Sequence, residues 1–239
     1  MSAVAIVGMH RSGTSWLAGT LQELGLELGV VDEANPYNAR GNREHARIQE
    51  LHASVFQAAG GSWRNPPARA EWSDAQRDEL RRIVDDLGRD AAVWGFKDPR
   101  TLFVLDEWRA QVPDLEVVGI FRNPQAVAAS LGRRGSFSMP RRPALALWTV
   151  YNQRLVEIHR ARPFPVLCFD RSASELARQV GALATRFGLA QPDVDPSFFD
   201  ATLVHHGAVE RVPWRARPTW RALEAAARQT DSELRVEAG

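Results

Sequence analysis

AVAIVGMHRSGTS, residues 3–15 of a 239-residue chain, sets the architecture that we expect for the whole protein. Ala3–Val7 is a short, fully apolar run, which is typical of a strand buried on both faces of a sheet. A loop with glycines at positions 8 and 13 follows, and helical periodicity runs from about Thr14 to Leu24. A strand, a glycine-containing loop and a helix in this order open an α/β fold.

The same alternation of strands and helices continues to about residue 190. Further strands are predicted at Ala92–Phe96, Glu116–Phe121 and Pro165–Phe169. Further helices are predicted at Arg43–Ala59, Ser73–Leu87, Thr101–Val112, 124–131, Ala144–Ala161 and Ser172–Phe187, and near Thr219–Ala227. The pattern predicts one domain over residues 1–239, with a three-layer α/β core at 3–190 and an irregular tail at 191–239. Its central sheet is expected to be doubly wound and mostly parallel, with helices on both sides.

The composition excludes several classes of protein. Apolar residues make up 44% and charged residues 25% of the chain, which is typical of a globular domain and not of a disordered one. The net charge is only +1, so no overall positive field attracts nucleic acid. Because Cys168 is the only cysteine, the chain has neither an internal disulfide nor a cysteine-based metal cluster. Since neither a signal-peptide pattern nor a membrane-spanning apolar run is found, we expect a cytoplasmic protein.

The loop at residues 8–13 has the G-x-x-x-x-G spacing of a phosphate-binding loop. Between a strand and a helix, such a loop directs backbone N–H groups and the helix N-terminus at an anion, and Thr14 and Ser15 add hydroxyl donors. A nucleoside triphosphatase carries lysine at the position of Thr14, whereas the nearest cation here is Arg11. We therefore expect one phosphate-like group in this loop, and not a triphosphate with magnesium. An ordinary tight turn is the alternative.

A second candidate anion site is the segment RNPQAVAAS, residues 122–130. Arg122 follows the third predicted strand, and Ser130 lies eight residues later, two turns into the next helix. A guanidinium and a hydroxyl at the carboxyl end of a strand lie in the crevice where open α/β sheets bind ligands. The pair is suited to a second phosphate. The alternative is a strand-end arginine and a small helix-packing serine without a ligand.

Together the two motifs resemble those of the sulfotransferases that use 3′-phosphoadenosine 5′-phosphosulfate (PAPS). The resemblance implies that the 5′-phosphosulfate is bound by Arg11, Ser12, Gly13, Thr14 and Ser15. It also implies that Arg122 and Ser130 bind the 3′-phosphate, and that PAPS leaves as 3′,5′-adenosine bisphosphate. WGFKDPR at 94–100 and GNRE at 41–44 resemble segments of bacterial and carbohydrate-type members, and the resemblance covers residues 3 to about 170. The fold it implies is an α/β fold of the P-loop nucleotide-binding type.

Transfer of a sulfuryl group needs a cation near the oxygen that leaves with the 5′-phosphate and a base for the acceptor proton. Lys97, the only lysine of the chain, ends the second predicted strand, and the resemblance implies that a lysine here contacts the reacting group. Glu44 is the leading candidate for the base, with His10 and Asp98 as the others. Asp98 and Arg100 are alternatively part of a structural network, in which they pair with each other or with Lys97. No metal ion is expected to take part.

Two other functions stay open. Val166–Asp170 (VLCFD) has the form of a magnesium-binding strand, which favours a P-loop kinase, although we expect Asp170 to cap the helix that starts at Ser172. The chain is alternatively an inactive nucleotide-binding module.

Little in the sequence identifies the acceptor. We expect a hydroxyl or amine on a glycan or small metabolite, bound by residues 27–90 and 132–147. The basic loop at 132–143, with Arg133, Arg134, Arg141 and Arg142, is either a lid for anionic acceptors or a solvated loop. The pair His205-His206 lacks a third ligand at metal-binding spacing and is expected to lie on the surface.

Overall fold

A four-stranded, all-parallel sheet forms the centre of the computed structural model, which describes residues 2–32, 41–133, 138–189 and 211–237. The strands are β1 (Ser2–Val7), β2 (Val93–Lys97), β3 (Leu115–Phe121) and β4 (Val166–Cys168), in the spatial order β2-β1-β3-β4. The prediction of a parallel α/β sheet with these four strands is confirmed, and the strand ends differ from the prediction by one residue at most. Arg134 and the pair His205-His206 lie outside the described residues.

Helices follow the strands in the predicted order. They are α1 (Thr14–Glu23), α2 (Ala46–Ala58), α3 (Asp74–Gly88), α4 (Thr101–Gln111), α5 (Pro124–Gly132), α6 (Arg141–Ala161), α7 (Ala173–Arg186) and α8 (Arg217–Glu237). Local capping explains several starts: Ser73 and Ser172 form capping boxes at α3 and α7, and Asn123 caps α5 ahead of Pro124. Because α6 begins at Arg141, the predicted basic loop ends earlier than expected.

The C-terminal helix α8 differs most from the prediction. A short helix within an irregular tail was expected near Thr219–Ala227, but α8 has 21 residues. The hydroxyl of Thr230 accepts a 2.8 Å hydrogen bond from the backbone N–H of Val166, in the outer strand β4. Leu223 and Leu234 are almost fully buried. The helix therefore covers the β4 edge of the sheet, and tertiary packing stabilises more of it than its local sequence predicts.

Both faces of the sheet are buried beneath helices. Along β1 the alternation of side chains places Ala3, Ala5 and Val7 in one apolar cluster and Val4 and Ile6 in another. The first cluster includes residues of α2 to α6, whereas the second includes residues of α1 and α7. This arrangement confirms the three-layer architecture.

The crevice of the sheet lies at the carboxyl ends of the neighbouring strands β1 and β3. After β1 the chain enters α1 on one face, and after β3 it enters α5 on the other face. Such a divergence is the topological switch point at which open α/β sheets bind ligands. It brings the loop at residues 8–13 next to residues 122 and 123.

None of the helices in the described ranges combines the length and the hydropathy that a membrane crossing requires.

Candidate active site

The loop between β1 and α1 has a backbone that requires both of its glycines. A Cβ at Gly8 would lie 2.3 Å from the carbonyl oxygen of Ile120, and a Cβ at Gly13 would lie 2.4 Å from the ring of Phe169. Gly13 also has a φ of 94°, and Arg11 has a φ of 67°, which is rare for a residue with a side chain. Since Gly13 is the N-cap of α1, no side chain at that position caps the first N–H groups of the helix. These N–H groups are suited to an anion.

Ser12 supports the same interpretation of the loop. Its side chain is fully buried, and its hydroxyl has no hydrogen-bond partner within the described part of the chain. A buried hydroxyl without a partner is costly, so its presence beside a helix N-terminus fits an anion-binding role. Thr14 is also buried, and Ser15 is half-buried.

The two predicted anion motifs meet in the structure. Nε of Arg11 donates a 2.8 Å hydrogen bond to the hydroxyl of Ser130, which lies on α5 and is almost buried. From the sequence we expected Ser130 to act with Arg122. The contact also joins Ser130 to the phosphate loop.

Arg122 lies beside Phe169 and Asp170, the residues that follow β4. Its guanidinium carbon lies 5.2 Å from the centre of the Phe169 ring, and its Nε is 3.5 Å from Asp170. Asp170 also accepts a hydrogen bond from the backbone N–H of Asn123. The expectation that Asp170 caps α7 is wrong, because the side chain of Ser172 caps that helix. Asp170 stabilises the turn between β3 and α5, and this role does not favour magnesium binding.

Lys97 and Glu44, which are 53 residues apart, form an ion pair. The Lys97 side chain is 1% exposed and that of Glu44 is 10% exposed, so the pair is well shielded from water. The other carboxylate oxygen of Glu44 accepts a hydrogen bond from the side-chain amide of Gln49. Asp32 accepts the backbone N–H groups of Asn42 and Glu44 at 2.9 and 3.1 Å, which anchors the segment before α2. Sequence reasoning missed both Gln49 and Asp32.

Asp98 and Arg100 pair with each other, which is one of the arrangements expected from the sequence. The Asp98 carboxylate accepts the backbone N–H, Nε–H and Nη2–H of Arg100 at 2.8, 2.9 and 2.6 Å. Although burial opposes its ionisation, His52 and Arg100 hold the pKa of Asp98 well below its usual range. Asp98 is fully buried and bound by these donors, so its carboxylate is ill suited to take a proton from an acceptor.

His10 packs among aromatic side chains at the start of the phosphate loop. Its ring centre lies 4.9 Å from that of Trp63 and 5.8 Å from that of Tyr151. The Tyr151 hydroxyl donates a 2.9 Å hydrogen bond to the carbonyl of Trp63, and burial raises the pKa of Tyr151 far above its usual value. Trp63 is half-buried, so this aromatic cluster forms a partly open wall beside the loop.

The described part of the basic segment is solvated. Arg133, Arg141 and Arg142 are exposed, and Arg141 donates to the side chain of Gln125 at 2.7 and 3.1 Å.

Comparison with known proteins identifies the family. Residues 3–193 match the family described as "Sulfotransferase family". The sulfotransferase domain of the olefin synthase of Synechococcus PCC 7002 is similar in fold, with a TM-score of 0.59, 17% identity, and coverage of 95% of this chain and 94% of that one. Sulfotransferase STF1 from Mycobacterium tuberculosis H37Rv aligns with a TM-score of 0.47 and 14% identity, over 99% of this chain and 76% of that one. No curated protein matches the chain. The match over most of its length shows that the protein belongs to the sulfotransferase family.

Proposed function

We propose that this protein transfers a sulfuryl group from PAPS to a hydroxyl or amine of a carbohydrate or small metabolite, by an in-line reaction without a metal ion. The observation that carries the proposal is the hydrogen bond between Arg11 and Ser130, which joins two anion-binding motifs at one edge of the sheet. A nucleotide with a phosphate at each end of an adenosine matches two neighbouring anion sites better than a triphosphate chain does.

The residues of the phosphate loop fit the 5′-phosphosulfate. Ser12 brings a buried hydroxyl without a partner in the described ranges, and Gly13 exposes the N-terminus of α1. Arg11 supplies the positive charge that a triphosphatase would take from a lysine at the position of Thr14. In this proposal Arg11, Ser12, Gly13, Thr14 and Ser15 hold the sulfated end of the donor. Arg122 and Ser130 hold its 3′-phosphate.

Lys97 and Glu44 would carry out the chemistry. When bound, the donor supplies the sulfuryl group and a phosphate as leaving group. The ammonium of Lys97 stabilises negative charge that develops on the bridging oxygen. The carboxylate of Glu44 accepts the proton that the acceptor hydroxyl or amine releases. Their ion pair holds the two side chains together in a shielded place, and Gln49 holds the carboxylate in one orientation.

His10 is a positioning group in this proposal and not the base. Its ring packs against Trp63 and Tyr151, and these contacts place it at the mouth of the phosphate loop. The half-buried Trp63 is suited to one side of the acceptor, because aromatic rings pack well on the apolar face of a sugar or small metabolite.

We also propose that residues 1–239 form one domain and act in the cytoplasm. The single cysteine, Cys168, is buried in the strand β4, which suits a reducing compartment in which disulfides are not needed.

A transfer assay tests the function directly. The protein is incubated with PAPS labelled in its sulfuryl group and with a panel of sugars and small hydroxylated or amino compounds. We expect label on an acceptor and release of the 3′,5′-adenosine bisphosphate. Magnesium-dependent ATP turnover without sulfuryl transfer would instead support a kinase. Tight bisphosphate binding without transfer to any member of a broad panel would support an inactive binding module.

A further inference from the structure

A chain of buried polar groups lies beneath the Lys97–Glu44 pair. It runs from Trp108 on α4 through His52 on α2 to Asp98 and Arg100. We propose that His52 is a positioning residue for sulfuryl transfer, which acts through Asp98 to hold Lys97 and Arg100 in place around Glu44. The proposal rests on the function proposed above.

Hydrogen bonding determines which nitrogen of His52 carries the proton. The ring is fully buried, and its Nε2 lies 2.8 Å from the indole nitrogen of Trp108. An indole N–H is only a donor, so Nε2 must accept and cannot carry a proton of its own. The proton of the imidazole is therefore on Nδ1.

Nδ1 of His52 faces the carboxylate of Asp98. The distance to Oδ2 is 3.6 Å, slightly beyond a hydrogen bond, and both side chains are fully buried. Arg100 supplies the close hydrogen bonds to this carboxylate. A buried carboxylate is stabilised by every donor that faces it, and the Nδ1–H of His52 faces the same oxygen, Oδ2, that accepts from Nη2 of Arg100.

The position of Asp98 is transmitted to the reacting groups. Asp98 is the residue after Lys97, so its buried carboxylate restrains the backbone that presents the ammonium. The Arg100 guanidinium is only 13% exposed, and it lies close enough to Glu44 for the two charges to interact. Asp98 thus lies, in the sequence, between two cations that both interact with the proposed base.

Helix α2 links this chain of groups to the base itself. Gln49 and His52 are three residues apart and lie on one face of the helix. Gln49 holds the carboxylate of Glu44, and His52 faces Asp98. A shift of α2 would therefore move both ion pairs together, which is the mechanical basis of the proposed role.

The first test is the protonation of the imidazole nitrogens, read by ¹⁵N NMR on the full chain at neutral pH. We expect the His52 signals of a ring protonated on Nδ1. His159 is an internal control, because its Nδ1 accepts a 3.4 Å hydrogen bond from the backbone N–H of Phe164, so its proton is expected on Nε2. A His52 ring protonated on Nε2, or on both nitrogens, would overturn the proposal.

The second test compares His52→Leu with His52→Asn, whose amide N–H can take the place of Nδ1–H. For His52→Leu we expect kcat to fall by roughly tenfold to a hundredfold, as expected for displaced catalytic groups. The KM for PAPS should change by less than about threefold, because the donor-binding residues stay in place. His52→Asn should recover most of kcat. The matched control is His159→Leu, in a side chain that packs on Phe164 near the opposite edge of the sheet and should leave kcat unchanged.

A third variant covers the case in which His52→Leu does not fold. Trp108→Phe keeps an aromatic ring but removes the indole N–H that holds Nε2 of His52, so the imidazole loses its anchor to α4 and kcat should fall. Wild-type kcat in a folded His52→Leu or Trp108→Phe variant would overturn the proposal. So would a His52→Asn variant as slow as His52→Leu. An active wild-type enzyme with unaffected variants refutes only the role of His52, whereas a wild-type protein without transfer refutes the proposed function and this role with it.

Discussion

Nε of Arg11 lies 2.8 Å from the hydroxyl of Ser130, although 119 residues separate them in the chain. Arg11 belongs to the loop after β1 and Ser130 to the helix after β3, and these strands are neighbours. Because the serine oxygen accepts from Arg11, its own O–H keeps the capacity to donate to a phosphate. The contact therefore links the two ends of the proposed nucleotide site through one charged hydrogen bond.

Arg122→Ala tests the site for the 3′-phosphate. In the wild-type protein 3′,5′-adenosine bisphosphate should raise the melting temperature more than AMP does, because only the former reaches Arg122. The variant should lose this difference, since a hydrogen bond to a charged group contributes about 1.5–3 kcal/mol. Differential scanning fluorimetry at matched nucleotide concentrations measures it. Arg160→Ala, at an exposed position of α6, is the control, and equal shifts for both nucleotides in the wild type would refute the assignment.

Lys97→Met separates the catalytic role of the lysine from its structural role. The single variant leaves the charge of Glu44 without its partner in a shielded place, so both stability and turnover should fall. In the double variant with Glu44→Gln, the site is neutral again and the melting temperature should recover. Turnover should stay at least about a hundredfold below wild type. A double variant with restored activity would show that the pair is only structural.

Gln49→Leu tests whether the orientation of Glu44 affects the rate. The amide of Gln49 holds one carboxylate oxygen of Glu44, and its loss should let the base rotate. We expect kcat to fall by about tenfold with little change in donor affinity. Gln57→Leu, at an exposed position on the same helix, is the matched control. Equal kcat values in the two variants would contradict the role given to Gln49.

Asp98→Asn should destabilise the protein in a pH-dependent way. The folded-state pKa of Asp98 is depressed, so its charge stabilises the fold fully above the unfolded-state pKa of about 3.9 and progressively less as the pH falls below it. At pH 7 the loss should be about 3–5 kcal/mol, since Arg100 is left without its buried partner.

Urea denaturation at pH 7 and near pH 3 measures this dependence. The difference between wild type and Asp98→Asn should be smaller at the lower pH. Asp106→Asn is the control, because that side chain is 81% exposed and its ion pair contributes little. A difference that grows as the pH falls would contradict the depressed pKa.

Gly13→Ala tests the backbone of the phosphate loop. Alanine at this position would have to adopt the left-handed conformation of Gly13. Its Cβ would lie 2.4 Å from the Phe169 ring. We expect a loss of about 2–4 kcal/mol from strain and overpacking, together with loss of nucleotide binding. Gly181→Ala is the control, because its Cβ meets nothing within 4 Å and lies inside α7. Gly181→Ala should stabilise the protein by up to about 1 kcal/mol. Equal effects of the two substitutions on stability would refute the proposed requirement for glycine at position 13.

Short-range patterns accounted for the sheet and for the places of the two motifs. The apolar run at residues 3–7 and the glycines at 8 and 13 predicted β1 and the loop, because strand burial and turn geometry depend on neighbouring residues. Ser73 likewise predicted the start of α3, where the structure shows that it forms a capping box. The sequence could not predict the full length of α8, since contacts with β4 and neighbouring helices stabilise that helix.

The pairing of Lys97 with Glu44 is not determined by the local sequence around either residue. Each was a candidate from its own segment, but their ion pair depends on how the segment before α2 lies over the end of β2. The same holds for His52, which carries no motif and acquires its partners only when α2 packs against α4 and the end of β2. Local sequence specified the elements and the kinds of group available for chemistry. Long-range packing selected the partner of each charge, because charges leave water only where folding brings their complements within hydrogen-bond distance.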